Sequence, residues 1–406
     1  MADPTWRGYN VDARRLQAAG PFLSLVPLFI FSLRLLICAS MSNDDISSNI
    51  PIVSMQDLAS QQIAERDRAA GGLREAFGRF GLVYIGDHGI GRPILDAYLE
   101  SFGAFTQRPV ADKQALARPD LWYQRGWTPP NTEKAVVAGG QPDFKECYFA
   151  APEPLDEEAR SQYPQVYADN IWPDDGGRLE RGLLDMGHAL HDVGRRLLRG
   201  CAHALGLKPY QFEQVLHGGP HVTRALRYLP LTSEQAGTEI VWGEEHTDFN
   251  LLTLLPGGRF YDPSGEPCAG PDETGGLYLR TRASAAHPQG QLVRGRAPEG
   301  CIIAQVGQQL EILTGGIFQA TPHVIRAPLQ PGYTRVSAAH FIHMHAHRVV
   351  YPLERFRTHE TIAAYSPPVL AGTYGLKTLV DIGLAPIEAL GRLGYRHYDR
   401  LVDARS

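Results

Sequence analysis

The sequence predicts a mainly β protein with helices: a β-sandwich or jelly-roll core behind an α/β N-terminal part. Three observations carry this. Short β-type runs separated by turn signals recur at Thr223–Leu229, Leu251–Leu255, Gly276–Leu279, Cys301–Val306 and Arg335–Phe341. A long amphipathic helix precedes them near residues 177–205, where Leu179, Leu183, Met186, Leu190, Val193, Leu197 and Cys201 repeat at intervals of three or four. Nearer the start, two short apolar runs flank another helical pattern.

In chain order, the β-branched run Ile50–Val53 reads as a strand and Asp57 to Phe80 as a helix stopped by Gly81. Leu82–Ile85 reads as the next strand, ending at the turn Asp87-His88-Gly89. Residues 91–118 read as helical again. Trp122 to Pro154 is rich in Pro and Gly with aromatics interleaved, and reads as loop and irregular structure. His188, His191 and His203 ride on the long helix as polar decoration or satisfied helix histidines. Residues 256–275, rich in Gly, Pro and acids, read as a long surface loop of the kind that can cover a site.

The 406 residues are 43% apolar and 20% charged, an ordinary globular balance with enough apolar side chains for a sizeable core. A net charge of −5 with both signs interspersed carries no nucleic-acid signature. The five cysteines, Cys38, Cys147, Cys201, Cys268 and Cys301, are scattered and form no CxxC pair. They argue against a disulfide framework or thiolate zinc site, and for reduced thiols in the cytoplasm.

Residues 1–40 stand apart. The run PFLSLVPLFIFSLRLLIC follows Arg7, Arg14 and Arg15 and has the look of a signal peptide or weak anchor. Arg34 interrupts it, at an insertion cost of about 2.5–3.5 kcal/mol at mid-bilayer. Met41 opens the polar MSNDDISSNIPIV, so a start placed too early is the favoured reading, with a targeting segment the alternative.

The chemistry centres on GEEHTDFNLLTLL. A ferrous oxygenase needs two imidazoles and one carboxylate on one face of the metal, the other face staying open for O2 and an organic co-substrate. In a strand-like stretch residues i and i+2 point the same way, so His246-x-Asp248 can supply two ligands. Alone the motif is weak: with 15 histidines about one His-x-Asp is expected by chance, and His397-x-Asp399 is a second copy. The second copy ends the chain with no histidine after it. The first is followed by His323 on an apparent strand, then by Arg335-x-Ser337. An arginine fork with a hydroxyl two residues on is a carboxylate clamp. Arg282-x-Ser284 has the same form, but lies before His323 in a loop-like stretch.

The ordered set His246-x-Asp248, His323, Arg335-x-Ser337 resembles the isopenicillin N synthase-like branch of the iron(II)/2-oxoglutarate-dependent dioxygenases. IPIVSMQDL, AFGRFGLVYIGDHGI, YQRGWTPPNTEKAV and PDFKECYF resemble that branch's N-terminal domain in order, and the likeness spans roughly Ile50 to Pro352. It implies a double-stranded β-helix with Fe(II) held by His246, Asp248 and His323. It implies 2-oxoglutarate bound by Arg335 and Ser337, with Tyr228 as a further contact or a barrel-wall aromatic. The implied divisions are an N-terminal dioxygenase domain at 41–165, helical support at 166–217, the β-helix domain at 218–350 and an extension at 351–406. Val324 and Gly307-Gln308 depart from common family residues. The implied reaction couples O2-driven decarboxylation of 2-oxoglutarate, giving succinate and CO2, to oxidation of a C–H bond of a small molecule.

Alternatives remain. An isopenicillin N synthase-type oxidase would use the Arg-x-Ser pair on the substrate's own carboxylate. An ethylene- and succinate-forming enzyme would fragment 2-oxoglutarate itself; GGLYLR and LTGG are faintly reminiscent of it. A non-catalytic binding protein could keep the barrel, although the intact triad argues against that. His340, His343, His345 and His347 cluster in HFIHMHAH, where alternation puts the last three on one face. A second metal or a substrate contact is conceivable there, plain structure more so. Asp143, Lys145 and Glu146 read as a charged structural loop or substrate contacts. No membrane or nucleic-acid partner is expected, and the chain is expected to be a monomer or weak homodimer.

Overall fold

Apolar residues at consecutive strand positions require cover on both faces, and the main sheet is built that way. The structure, a computed structural model, describes residues 49–133, 144–238, 240–282 and 290–392. Residues 1–40, Met41, Asp143, Ser284 and the His397-x-Asp399 copy lie outside them.

The main sheet runs β1 (Ile52–Ser54), β2 (Leu82–Gly86), β12 (Ile302–Val306), β7 (Leu252–Leu255), β14 (Thr334–Ile342), β5 (Val222–Tyr228), β4 (Lys145–Ala150), β3 (Gly126–Thr128). β8 (Gly258–Tyr261) pairs with β14, and β9 (Pro267–Cys268) with β8. A smaller sheet runs β11 (Leu292–Arg294), β10 (Gly276–Arg280), β13 (His323–Arg326), β6 (Val241–His246). β1 and β2 are parallel; the other paired strands are antiparallel.

The two sheets close on a shared interior. Leu82 and Tyr84 of β2 meet Leu277 and Leu279 of β10, and Phe149, Leu226 and Tyr228 meet Trp242 of β6. The outer face of the main sheet, with Tyr148, Ala225, Leu254, Ala338 and Ile342, packs on helices α1 (Ile63–Arg79), α2 (Arg92–Thr106) and α3 (Arg178–Ala204). The result is a jelly roll backed by a helical layer. Strands β1 to β4 extend the same sheet as the β-rich half, and Asp44–Ser406 forms one compact unit.

α3 presents the predicted apolar stripe, and Asp175 caps its first turn by accepting from the amides of Arg178 and Leu179 at 2.9 and 3.0 Å. It lies close to the sheet because glycines face the strands. A Cβ at Gly194 would come within 2.2 Å of Ile342 Cδ1, and one at Gly187 within 2.5 Å of Thr223 Oγ1. Two shorter helical pieces complete the site. α4 (Gln308–Leu313) follows β12, and α5 (Ala371–Asp381) folds the C-terminal part back onto the barrel, with Gly375 against Phe249. No helix among the described residues is long and apolar enough to cross a membrane.

Four expectations need correction. The stretch Trp122–Pro154 contains β3 and β4, and all six residues of β4 are buried. Its charged pair Lys145-Glu146 disguised a central strand, because both charges find partners inside the protein. Residues 256–275 hold the β8–β9 hairpin, whose edge pairs with the backbone of β14 from Thr334 to Ser337; backbone pairing leaves little trace in side-chain pattern. The helical stretch 57–80 breaks after Leu58, where the Ser60 hydroxyl accepts from the Gln62 amide. The helix beginning at Arg92 ends at Thr106 and resumes only after Pro109.

Candidate active site

β6 ends at His246, and in the ladder His246 stands opposite His323, the first residue of β13. The two imidazoles are therefore neighbours across a strand pair, with ring centres 4.3 Å apart. Asp248 is not on the strand, so alternation is not what aligns it. Past His246 the chain turns and docks on the start of α4. The carbonyls of Asp248 and Asn250 accept from the amides of Gln308 and Gln309 at 2.8 and 3.0 Å. Gly307 permits that approach, since a Cβ there would lie 2.1 Å from the Asn250 carbonyl oxygen. The Gly307-Gln308 turn thus seats Asp248 through its glycine and a backbone amide, not through the Gln308 side chain.

The docked turn brings Asp248 Oδ1 to 3.6 Å from His246 Nε2 and 4.0 Å from His323 Nε2. One candidate ligand atom from each of the three residues lies within 4.8 Å of the others, the one such group of His, Cys and carboxylate side chains among the described residues. Each is held from behind. His246 Nδ1 donates to the Glu244 carbonyl at 2.7 Å, which turns Nε2 toward Asp248; burial opposes charge on the ring, but the Asp248 carboxylate outweighs it and raises His246 above the usual histidine range. The Thr253 hydroxyl donates to Asp248 Oδ2 at 2.7 Å. The Gln305 amide meets His323 Nδ1 at 2.6 Å. The atom placed there is Gln305 Nε2, and Gln305 Oε1 has no partner among the described residues; turned over, the amide would accept Nδ1–H and His323 would offer a bare Nε2.

Burial alone would raise the Asp248 carboxyl, but His323, His246 and Thr253 outweigh it and hold the group well below the usual carboxylate range. Burial, with His246 alongside, pushes His323 down to about 4. An ionised carboxylate and a neutral imidazole are the forms that bind a metal. Two imidazoles and one carboxylate, none replaced by thiolate, fit iron(II) with an open face.

Arg335 and Ser337 lie on β14, and Tyr228 is the direct partner of Arg335 on β5. All three line a cavity of about 100 Å³ together with His246, Asp248 and His323. Arg335 is half-buried and makes no ion pair with any described carboxylate.

Residues 50–175 match the family described as non-haem dioxygenase in morphine synthesis, N-terminal, and residues 220–344 match the 2OG-Fe(II) oxygenase superfamily. The chain belongs to the 2-oxoglutarate- and iron(II)-dependent oxygenases. It is 27% identical over 287 residues to azadirone synthase LFS of Melia azedarach, covering 66% of this chain and 75% of that one. It is 26% identical over 289 residues to homoarginine-6-hydroxylase 2-ODD-233 of Oryza sativa, covering 70% and 79%. A solved 2OG-Fe(II) oxygenase family protein of Caulobacter crescentus superposes with a TM-score of 0.66 at 25% identity, over 82% of this chain and 99% of that one.

This oxygenase has a second cavity, of about 160 Å³, in front of His246 and Asp248. Phe149, Phe249 and Phe341 line it, and Thr378 and Leu379 of α5 contribute to its wall. A buried ionic group sits in the same wall: Glu133 receives Lys145 Nζ at 3.1 Å and is bonded by Arg224. Lys145 and Glu146 thus separate, as neighbours on a strand must. Lys145 faces the cavity, whereas Glu146 accepts from Lys113, Trp127 and Arg227 at 2.8, 2.9 and 2.9 Å on the other face.

In the histidine-rich segment His345 and His347 stay together, with ring centres 5.2 Å apart, but His343 does not join them. β14 ends at Ile342, so the alternation expected to align His343, His345 and His347 stops there. His343 lies beside Phe249 at the front cavity, with ring centres 5.2 Å apart, while His345 pairs with Asp156 at 3.5 Å. His340 is buried between Thr223 Oγ1 at 3.0 Å and His191 Nδ1 at 3.2 Å. His191 is therefore a buried helix histidine satisfied by His340, the second of the two readings expected for it. Sequence reasoning also missed Thr253, Gln305, Glu133 and Arg224. Thr253 and Gln305 had a signal: each is a lone polar residue in an apolar strand, and a buried polar group needs a designated partner.

Proposed function

We propose that His246, Asp248 and His323 hold the iron, and that Arg335, Ser337 and Tyr228 hold the distal carboxylate of 2-oxoglutarate. One observation carries this: a single cavity has the triad at one end and a half-buried arginine without a carboxylate partner among the described residues at the other. A buried guanidinium is costly unless paired. A dicarboxylate spanning the cavity would pair it while chelating the metal, whose role is to activate O2 at its open face. Glu244 turns Nε2 of His246 inward, Gln305 stands behind His323, and Thr253 fixes Asp248.

The primary substrate sits in the front cavity, with an apolar body against Phe149, Phe249 and Phe341. An ionised or strongly polar end meets the Lys145–Glu133–Arg224 group. The relatives named above carry the names of different molecules, so the substrate is argued from this wall alone. The open face between the triad and that cavity favours oxidation of a C–H bond at the buried end of the substrate. Cys147, Cys201, Cys268 and Cys301 stand as free thiols, which supports a reducing, cytoplasmic setting.

The test is a stoichiometry. Protein loaded with Fe(II), 2-oxoglutarate and ascorbate is mixed with aerated buffer containing pools of small metabolites, and O2 consumed, succinate and CO2 are measured. Equimolar turnover that rises with a particular pool and vanishes in His246→Ala is expected. Absence of 2-oxoglutarate turnover with every pool refutes the proposal.

A further inference from the structure

Behind Arg335, on the side away from the substrate cavity, the barrel end opens into a groove of about 720 Å³. Its walls come from the β8–β9 hairpin, the first turns of α2 and the segment between β11 and β12. The groove and the triad cavity meet at Gly257, Leu277, Gly295, Ile303 and Arg335, all of which line both. Arg335 is thus shared by the two spaces, with Gly257 and Gly295 among the residues between them.

The groove is set with arginines. Asp96 holds both Arg92, at 3.4 Å, and Arg259, at 2.6 Å. Glu273 holds both Arg294 and Arg296. Four guanidinium groups therefore share two carboxylates, and Arg335 adds a fifth cation at the floor. Of the remaining acids, Asp272 accepts from the backbone amides of Thr274, Gly275, Leu329 and Gln330, and Glu299 stands exposed. The cationic groups outnumber the acids, and the deepest charge is positive.

We propose that this groove is a second port of the enzyme, through which 2-oxoglutarate reaches Arg335 and the dicarboxylate product leaves. The inference rests on Arg335 being the clamp for 2-oxoglutarate. A dianion diffusing to the protein meets cations along the groove and a terminal guanidinium at its base, an arrangement that raises local anion concentration and the association rate. The front cavity, walled by aromatics and α5, then serves the primary substrate, and the two reactants do not compete for one entrance.

The experiment measures 2-oxoglutarate binding to the full chain loaded with Fe(II) without oxygen, by stopped-flow quenching of tryptophan fluorescence. Trp242, stacked on Tyr228 with ring centres 5.2 Å apart, is the local reporter. Arg296 is 67% exposed, so Arg296→Glu leaves the fold intact. It should lower the association rate about threefold or more at low salt, with the gap closing at high salt. Cys268 and Cys301 both line the groove and serve as handles for a plug. A bulky maleimide on them should slow association and dissociation together by about tenfold, leaving the equilibrium constant nearly unchanged. The same reagent on Cys268→Ser/Cys301→Ser should do nothing. Unchanged rates in both the labelled and charge-reversed proteins, with binding lost in Arg335→Ala, overturn the port and leave the clamp standing. Undiminished binding in Arg335→Ala overturns the clamp, and the port with it.

Discussion

Arg335 on β14 stands directly opposite Tyr228 on β5, with its guanidinium carbon 5.7 Å from the centre of the tyrosine ring. Tyr228 in turn stacks on Trp242 at 5.2 Å. The arginine is thus fixed by an aromatic wall rather than by an acid, and its charge stays available. Arg335→Ala should weaken 2-oxoglutarate binding about 10- to 100-fold, the loss expected for one charge-assisted pair. Tyr228→Phe should cost less. Calorimetric titration of the Fe(II) protein without oxygen reads both.

Metal retention should depend on the carboxylate more than on its volume. Asp248→Asn preserves shape but offers a neutral oxygen, and iron content after dialysis should fall to background. Thr253→Val and Gln305→Leu remove the groups behind Asp248 and His323, and each should weaken metal affinity about 10- to 100-fold while leaving the fold intact. Metal titration with a chelating competitor, alongside circular dichroism, separates this from unfolding.

Gly307 allows the Asp248 turn to dock on α4. Gly307→Ala would push a Cβ against a backbone carbonyl that cannot rotate away. Metal affinity should fall, because the turn carrying Asp248 must shift. Gly194→Ala, on the helix-covered face of the sheet, meets the tip of Ile342 instead. It should destabilise by about 1–3 kcal/mol with metal affinity unchanged. Thermal melts paired with metal titration distinguish the two.

Stability should fall in acid through the buried histidines. Burial, with Arg195 nearby, pushes His191 down to about 4, and burial holds His221 and His340 well below the ordinary histidine range. A depressed folded-state value means that the unfolded chain takes up protons first. Stability is then full above the unfolded value near 6.5 and declines as pH falls toward 4, by about 1.4 kcal/mol per pH unit for each histidine titrating only in the unfolded state. Urea midpoints between pH 8 and 5 should drop accordingly, and His191→Phe should flatten the slope.

The residues proposed for the iron and 2-oxoglutarate sites were largely legible in the sequence. His246, Asp248, His323, Arg335 and Ser337 stand in the order that the family resemblance needs, and the long helix and strands such as β2, β5 and β12 announced themselves by period. That is because periodicity reports which face of an element is covered, a property of neighbours in the chain. What covers it is a property of residues far apart. Asp248 reaches the triad through a dock on α4, not through strand alternation; Lys145 and Glu146 look like a surface pair until β4 is inserted between β3 and β5. Gln305 and Thr253 acquire their roles only when β12 and β7 bring them behind the ligands. The Lys145–Glu133–Arg224 wall and the arginine groove are assembled from segments separated by tens to hundreds of residues. Such groupings leave no local period, and only the closed barrel decides them.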